Sequence, residues 1–223
     1  MQRRQFLASG SALTLLVLAG CTQGLGYSLT EAIRRLLTLS SQRALARLMA
    51  PGGFYDSQVA RITLPDQFSK TGSVLTRVLL SSVVRDRLLR QVNRAAEEGA
   101  DRAAPVLADA ILAMSPQDAA AIIKAVGTPA ATLLLQQQIG DALIPAMLPG
   151  VDEGLRLFDD QVVTEALKAV TGIDFAGLRE DVTRKASNAI FAEMGKEELA
   201  IRADPQATHD PVIIAAFTAG KVM

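Results

Sequence analysis

Hydrophobic residues recur every three or four positions along most of the chain beyond residue 28, and no stretch sustains the two-residue alternation of a strand. This spacing is typical of amphipathic helices. It predicts helices over residues 28–50, 66–99 (with or without a break near 81–82), 101–114, 115–127, 128–145, 151–170, 174–203 and 210–217. Residues 54–64 lack the period. We therefore predict an all-α, single-domain bundle of about seven to nine helices with one extended segment near residues 54–64.

Capping residues, glycines and prolines set the predicted helix boundaries. Ser28-Leu29-Thr30-Glu31 has the form of a capping box and is expected to begin the first long helix. Gly99 is expected to end a helix, and Pro145 to kink or end one. Asp204-Pro205 and Asp210-Pro211 should end one helix and begin the last one, because aspartate caps and proline fits the first turn.

The first 20 residues have the three-part layout of an export signal. Two arginines, Arg3 and Arg4, precede an apolar run from Phe6 to Ala19, and small residues follow. That run of about 14 residues is shorter than the roughly 20 that a membrane-spanning helix needs. We therefore predict a signal peptide over residues 1–20.

Leu18-Ala19-Gly20-Cys21 resembles the lipobox of bacterial lipoproteins. The resemblance implies cleavage before Cys21 and acyl chains such as palmitate on that residue, which would begin a lipidated tether over residues 21–27. The alternative is an ordinary signal with a coincidental cysteine. Cys21 is the only cysteine in the chain, so it has no disulfide partner.

The start of the signal leaves the export route open. Arg3-Arg4-Gln5-Phe6-Leu7 resembles a twin-arginine signal, while a Sec signal with two arginines is the alternative. The residue after Cys21 is Thr22, not the Asp that marks inner-membrane retention in enterobacteria. By that similarity, we expect a lipid-anchored protein that faces the periplasm, with the outer membrane favoured.

Charge and composition limit the partners and the core. The signal holds two of the 23 Lys and Arg residues and none of the 23 Asp and Glu residues, so the remaining chain has a net charge of −2. Nucleic acid is not an expected partner, because no basic surplus is available to neutralise phosphates. With no Trp, two Tyr and seven Phe, the core must consist mainly of Leu, Ala, Val and Ile.

Asn93, Arg94 and Glu97 are the first candidate for a ligand-binding site. Asn93 and Glu97 are four residues apart and share one helix face. Their amide and carboxylate could bind a polar ligand group or a cation. The alternative is structural, with both side chains hydrogen-bonded to the backbone of the aperiodic 54–64 segment.

The other polar clusters give no site. Glu198 and Arg202, four residues apart near Glu197 and Asp204, are predicted to form an exposed ion pair on a solvated helix face. His209 is the only histidine, and we expect it in a surface loop. A lone histidine cannot form a multi-histidine metal site. We predict no catalytic residues, no metal and no cofactor.

Short motifs in a fixed order resemble the DUF4197 family of bacterial envelope proteins, whose function is uncharacterised. They are Pro51-Gly52-Gly53-Phe54, Ile62-Thr63-Leu64-Pro65, Asn93-Arg94-Ala95-Ala96-Glu97, Asp109-Ala110-Ile111, Asp118-Ala119, Ala130-Ala131-Thr132, Asp181-Val182-Thr183, Lys185-Ala186, and Ile201-Arg202 with Asp204-Pro205. The resemblance implies a helical domain over residues 28–218, followed by a tail at 219–223. It brings no known reaction.

Two functions are consistent with these residues. One is a non-enzymatic envelope lipoprotein that binds a partner protein or an apolar or lipid ligand. The alternative is a carboxylate-dependent, hydrolase-like enzyme around Glu97. A large pocket that converges on Asn93 and Glu97, with a raised carboxylate pKa, would favour the enzyme.

Overall fold

The computed structural model of the chain describes residues 20–64, 82–117, 119–156 and 175–219. The predicted signal peptide, apart from Gly20, lies outside the described residues. So do the parts of two predicted helices over 66–81 and 157–170.

Six α-helices form the described part of the chain, and none of its residues lies in a strand. They are α1 (Gly20–Leu48), α2 (Ser82–Ala113), α3 (Ala119–Lys124), α4 (Ala130–Gly154), α5 (Phe175–Ala203) and α6 (Pro211–Ala219). A 3₁₀ helix, Pro205–Thr208, joins α5 to α6. The all-α prediction is confirmed, although six helices in the described ranges are slightly fewer than predicted.

The predicted helix breaks at Gly99 and Pro145 are wrong. Helix α2 continues through Gly99, and α4 continues through Pro145. Gly99 lies where α2 and α4 touch, and a Cβ atom there would come within 2.7 Å of Val151 Cγ2. A Cβ at Gly150 would overlap the backbone of Glu98. These glycines allow close packing of the two helices.

Pro145 is exposed, so water can bind the carbonyl that it leaves unpaired.

The N-terminal end of α1 also differs from the prediction. Its backbone is helical from Gly20, so the predicted capping box at residues 28–31 lies inside the helix, and the predicted tether 21–27 is helical. Glycine lowers helix stability by about 1 kcal/mol relative to alanine without forbidding the helix. Gly24 and Gly26 therefore do not stop α1.

The predicted signals at the C-terminal end of α5 are confirmed. Helix α5 ends at Ala203, and Asp210 begins α6. The Asp210 carboxylate accepts hydrogen bonds from the amides of Val212 and Ile213 at 2.8 and 3.2 Å. Burial alone would raise the pKa of Asp210, but these amides and the Arg35 guanidinium outweigh it and lower the pKa.

The aperiodic segment after α1 is a series of turns. Residues 51–60 form turns and bends, and residues 61–64 have no regular structure, so the segment is only partly extended. Phe54 and Ile62 are buried and fasten it to the helices.

One hydrophobic core holds the bundle together. Helix α2 packs along α4, α5 packs against α4 and α1, and α6 packs against α1. The largest fully buried side chains are Phe54, Ile33, Leu36, Leu37, Leu48, Leu107, Ile111, Leu135, Leu143, Met147, Leu155 and Ile190. The expectation of an aliphatic core is confirmed. No helix in the described ranges combines the length and the apolar character needed to cross a membrane.

Candidate functional site

A cleft of about 600 Å³ lies between the turn that follows α1 and the middle of α2. From the turn after α1, its lining residues are Met49, Pro51, Gly52, Tyr55 and Asp56. From α2, they are Arg90, Arg94, Glu97, Glu98 and Asp101. The α2 residues recur at three- and four-residue spacing, which places their charged side chains along one helix face.

The turn that forms one wall depends on two glycines. Gly52 has a φ of +81°, a conformation that other residues rarely adopt. The amide of Gly53 donates to the carbonyl of Ala50 at 2.7 Å, and a Cβ at Gly53 would overlap the last carbonyls of α1. The chain therefore reverses tightly and passes beside α2.

Asn93 fixes the following segment from behind the cleft. Its Oδ1 accepts a hydrogen bond from the Ile62 amide at 2.8 Å, and its Nδ2 donates to the Ile62 carbonyl at 2.9 Å. Nδ2 also donates to the Leu89 carbonyl at 2.7 Å. Asn93 is fully buried and does not line the cleft. Its interaction with the 54–64 segment is the structural alternative raised from the sequence.

Glu97 lines the cleft and also accepts from the backbone amides of Gly52 and Phe54, so the structural alternative applies to it in part. Burial raises the pKa of its carboxyl, partly opposed by the backbone amides of Gly52 and Phe54 and by the Arg94 guanidinium. The structure thus brings Glu97 and Arg94 together at the cleft and separates them from Asn93. An enzyme would be favoured by a pocket that converges on Asn93 and Glu97 and contains a carboxylate with a raised pKa. The raised pKa of Glu97 is present, but Asn93 does not line the pocket.

A cluster around Tyr55, missed by the sequence analysis, lies at the edge of the cleft. The guanidinium carbons of Arg61 and Arg90 lie 4.1 and 4.3 Å from the centre of the Tyr55 ring. The Tyr55 hydroxyl donates to Asp86, which also accepts from Arg90 Nε at 2.9 Å. The hydrogen bond to Asp86 raises the pKa of Tyr55. Only the i, i+4 spacing of Asp86 and Arg90 was visible in the sequence.

Five charged residues of the cleft form no ion pair with another described residue. Among the ion pairs that the described residues form, none includes Arg94, Asp56, Glu97, Glu98 or Asp101. Arg90 differs, because it pairs with Asp86. The cleft therefore presents opposite charges that interact, as Arg94 does with Glu97, without forming an ion pair among the described residues.

The prediction of an exposed Glu198–Arg202 pair is wrong. Glu198 is fully buried and Arg202 is 9% exposed. The Glu198 carboxylate accepts from the amides of Ala131 and Thr132 at 3.1 and 2.7 Å, and from the Thr132 hydroxyl at 2.6 Å. It therefore caps α4 from outside that helix, because Pro129 at the N-cap position has no capping side chain.

Arg202 completes this buried cluster. Its Nε donates to Glu198 at 2.8 Å, and its terminal nitrogens donate to the carbonyls of Ile122 and Ile123 at 3.0 and 3.2 Å. It also lies 4.9 Å from the centre of the Phe217 ring. The pair joins α3, α4, α5 and α6, which explains why it is buried.

Glu197 is likewise buried, contrary to the prediction of a solvated face. It pairs with Arg47 on α1, as does the neighbouring Glu193 at 3.4 Å. The second oxygen of Glu193 is buried without a hydrogen-bond partner among the described residues. Asp204 and His209 are exposed, and His209 lies in the predicted surface loop.

The described residues also form a second cleft but no metal-binding cluster. A second cleft of about 320 Å³ lies between α4 and α5, with Gln136, Asp141, Arg184 and Ser187 among its lining residues. No group of three or more His, Cys, Asp or Glu side chains in the described ranges could hold a metal ion. Cys21, the predicted lipidation site, falls in the first turn of α1.

Comparison with known proteins identifies a family but no characterised relative. The family described as "Protein of unknown function (DUF4197)" matches residues 26–218. The chain therefore belongs to the DUF4197 family, as its motifs indicated. No curated protein and no solved structure matches it.

Proposed function

We propose that this member of the DUF4197 family is an exported lipoprotein that binds a charged ligand in the cleft between α1 and α2. Acyl chains on Cys21 would anchor it in the cell envelope, facing the periplasm, with the outer membrane favoured. The observation that carries the binding function is the set of unpaired charges around the cleft. Charges that line a cleft without forming ion pairs there can pair with the complementary charges of a ligand.

The composition of the cleft supports binding and not catalysis. Its lining contains no serine, threonine, cysteine or histidine among the described residues, and the Tyr55 hydroxyl is occupied by Asp86. A serine, threonine or cysteine nucleophile with an adjacent base is therefore missing from the described lining. The charged lining also favours a polar ligand, or a polar segment of an envelope protein, over an acyl chain.

A carboxylate-dependent hydrolase is the second candidate. The observation that favours it is the half-buried Glu97, whose pKa is raised by burial in a cleft. A carboxyl group of this kind can act as a general acid. The binding function is favoured because no second catalytic residue is assigned to act with Glu97.

The anchor is tested with the full-length protein produced in a bacterium supplied with labelled palmitate. We expect label on the wild type and none on Cys21→Ser, which should remain an uncleaved precursor or become soluble. Mature, membrane-bound protein without label would refute the anchor.

The binding site is tested on the same purified protein by native mass spectrometry. We expect an added small-molecule mass on the wild type that is lost in Arg94→Gln. Arg87→Gln is the matched control, because Arg87 is exposed on the same helix but does not line the cleft. An added mass that survives in Arg94→Gln, or no added mass on the wild type, would contradict a ligand in this cleft.

A further inference from the structure

The charges in the cleft specify more than a general affinity for ions. Arg94 is exposed on α2, and the acidic residues Glu97, Glu98 and Asp101 follow it along the same helix. Asp56 contributes a fourth carboxylate from the opposite wall. Elsewhere in the bundle, Arg47 reaches across to two glutamates and pairs with both. In the cleft, Arg94 interacts with Glu97 but forms no ion pair with a described residue, so a ligand can provide further complementary groups.

The balance of these charges is negative. Arg90 is already engaged by Asp86 and the Tyr55 ring, which leaves Arg94 as the one unpaired cation among the described lining residues. Four carboxylates line the same space. The cleft also adjoins the C-terminal end of α1 at Leu48. The helix dipole gives that end a partial negative charge. The site therefore favours a ligand with more positive than negative groups.

The walls of the cleft are fixed before any ligand arrives. Asn93 holds the backbone at Ile62 through two hydrogen bonds, and the turn at Gly52 and Gly53 is tightly packed against the end of α1. A rigid site loses less conformational entropy when it binds. The volume of about 600 Å³ lies within the range of about 300–1,000 Å³ that is usual for small-molecule sites.

We propose that the cleft binds a ligand that carries both ammonium and carboxylate groups, as in a basic amino acid or the end of a lysine-containing peptide. Arg94 binds the carboxylate, and Glu97 with Asp101, one turn apart on α2, binds an ammonium group. This assignment rests on the binding function proposed above. A free amino acid and a peptide end share this chemistry, and the test separates them.

The test is isothermal titration calorimetry on the full-length protein in detergent, at low ionic strength. The probes are L-lysine, the dipeptide lysyl-alanine, 1,5-diaminopentane, which lacks the carboxylate, and glutarate, which lacks the amine. We expect L-lysine or the dipeptide to bind about tenfold or more tightly than 1,5-diaminopentane, as one charge-assisted contact would give. Glutarate should bind most weakly. The tighter of L-lysine and the dipeptide identifies the source.

Variants test whether Arg94 and Glu97 determine the ranking of probe affinities. Arg94→Gln should reduce the affinity for L-lysine to about that for 1,5-diaminopentane, and Glu97→Gln should weaken both amines. Arg87→Gln should change neither. Equal binding of all four probes, or an unchanged ranking in Arg94→Gln, would overturn the assignment. If a variant fails to fold, the ranking on the wild type still decides.

The two proposals fail in different ways. A co-purified mass that depends on Arg94, together with no binding of any probe, would overturn the ligand class and leave the binding function standing. Absence of both would overturn both.

Discussion

Two glutamates on different helices show what separates a structural carboxylate from an available one. Glu198 on α5 is fully buried and accepts from two backbone amides, a hydroxyl and a guanidinium. Glu97 on α2 is half-buried beside a cleft and forms no ion pair among the described residues. Glu198 holds helices together, whereas Glu97 accepts from the amides of Gly52 and Phe54 in the turn and has no cationic partner at ion-pair distance among the described residues.

The difference arises from the elements that surround each side chain. Glu198 faces the N-terminal end of α4, where unpaired amides and the helix dipole favour an anion. Glu97 faces the turn after α1, where burial and, to a smaller extent, the neighbouring Glu98 raise its pKa against the amides of Gly52 and Phe54, so that its charge costs free energy. The carboxylate of Glu198 is therefore stabilised by its partners, whereas the charge of Glu97 costs free energy.

The largest expected effect comes from removing the satisfied carboxylate. Glu198→Ala should destabilise the protein by about 3–5 kcal/mol, because it leaves the buried Arg202 guanidinium and the α4 amides without their partner. Chemical denaturation measures the change. Glu180→Ala, an exposed glutamate on the same helix, is the control and should have little effect. A loss below about 1 kcal/mol for Glu198→Ala would remove the contrast with Glu97.

Asn93→Ala should have the next largest effect, a loss of about 1–3 kcal/mol. The substitution leaves the buried amide and carbonyl of Ile62 unpaired. A thermal melt with Arg87→Ala as control would measure it, and any loss of ligand binding should follow the loss of stability. An unchanged or higher melting temperature would show that Asn93 does not fasten the cleft wall.

Glu97→Gln should be neutral or slightly stabilising near pH 7, in contrast to Glu198→Ala. Because the pKa of Glu97 is raised in the folded state, its charge costs stability above that pKa. As the pH falls through the raised pKa towards the ordinary value, the folded protein takes up the proton first and the cost disappears. The stability difference between variant and wild type should therefore shrink on acidification, as thermal melts between pH 7.5 and 5 would show. A difference that grows on acidification would contradict the raised pKa.

The smallest expected effect is that of a chelator. The unpaired carboxylates of the cleft do not form a group that could hold a metal among the described residues, and His209 stands alone in a loop. EDTA should therefore leave the melting temperature unchanged. A drop of several degrees would mean that the carboxylates of the cleft do bind a cation.

The parts of this fold that depend on residues close together in the sequence could be predicted from the sequence. The helical periodicity, the end of α5 at Asp204-Pro205 and the cap at Asp210 were all visible in the sequence. Gly99 was misinterpreted because a glycine that ends a helix and a glycine that admits a neighbouring helix look alike in sequence. Only the position of Val151, on another helix, decides between them.

The candidate site was predicted in the same uneven way. The pattern of Asn93, Arg94 and Glu97 located the cleft, but it could not show that Asn93 faces away from it. Glu198 and Arg202 have the spacing of a surface pair, and their burial depends on carbonyls about 80 residues earlier in the chain. The Tyr55 cluster depends on a contact between a turn and α2 that no local pattern encodes.

Helix α1 has the length of a spacer. It runs without interruption from Gly20 to Leu48, and at about 1.5 Å per residue the distance from Cys21 to its far end is roughly 40 Å. The cleft lies at that far end, beside Met49. If Cys21 carries the anchor and α1 stands perpendicular to the membrane, the cleft opens beyond the reach of lipid headgroups. Its ligand would then come from the aqueous side of the membrane, and shortening α1 would change which molecules can reach it.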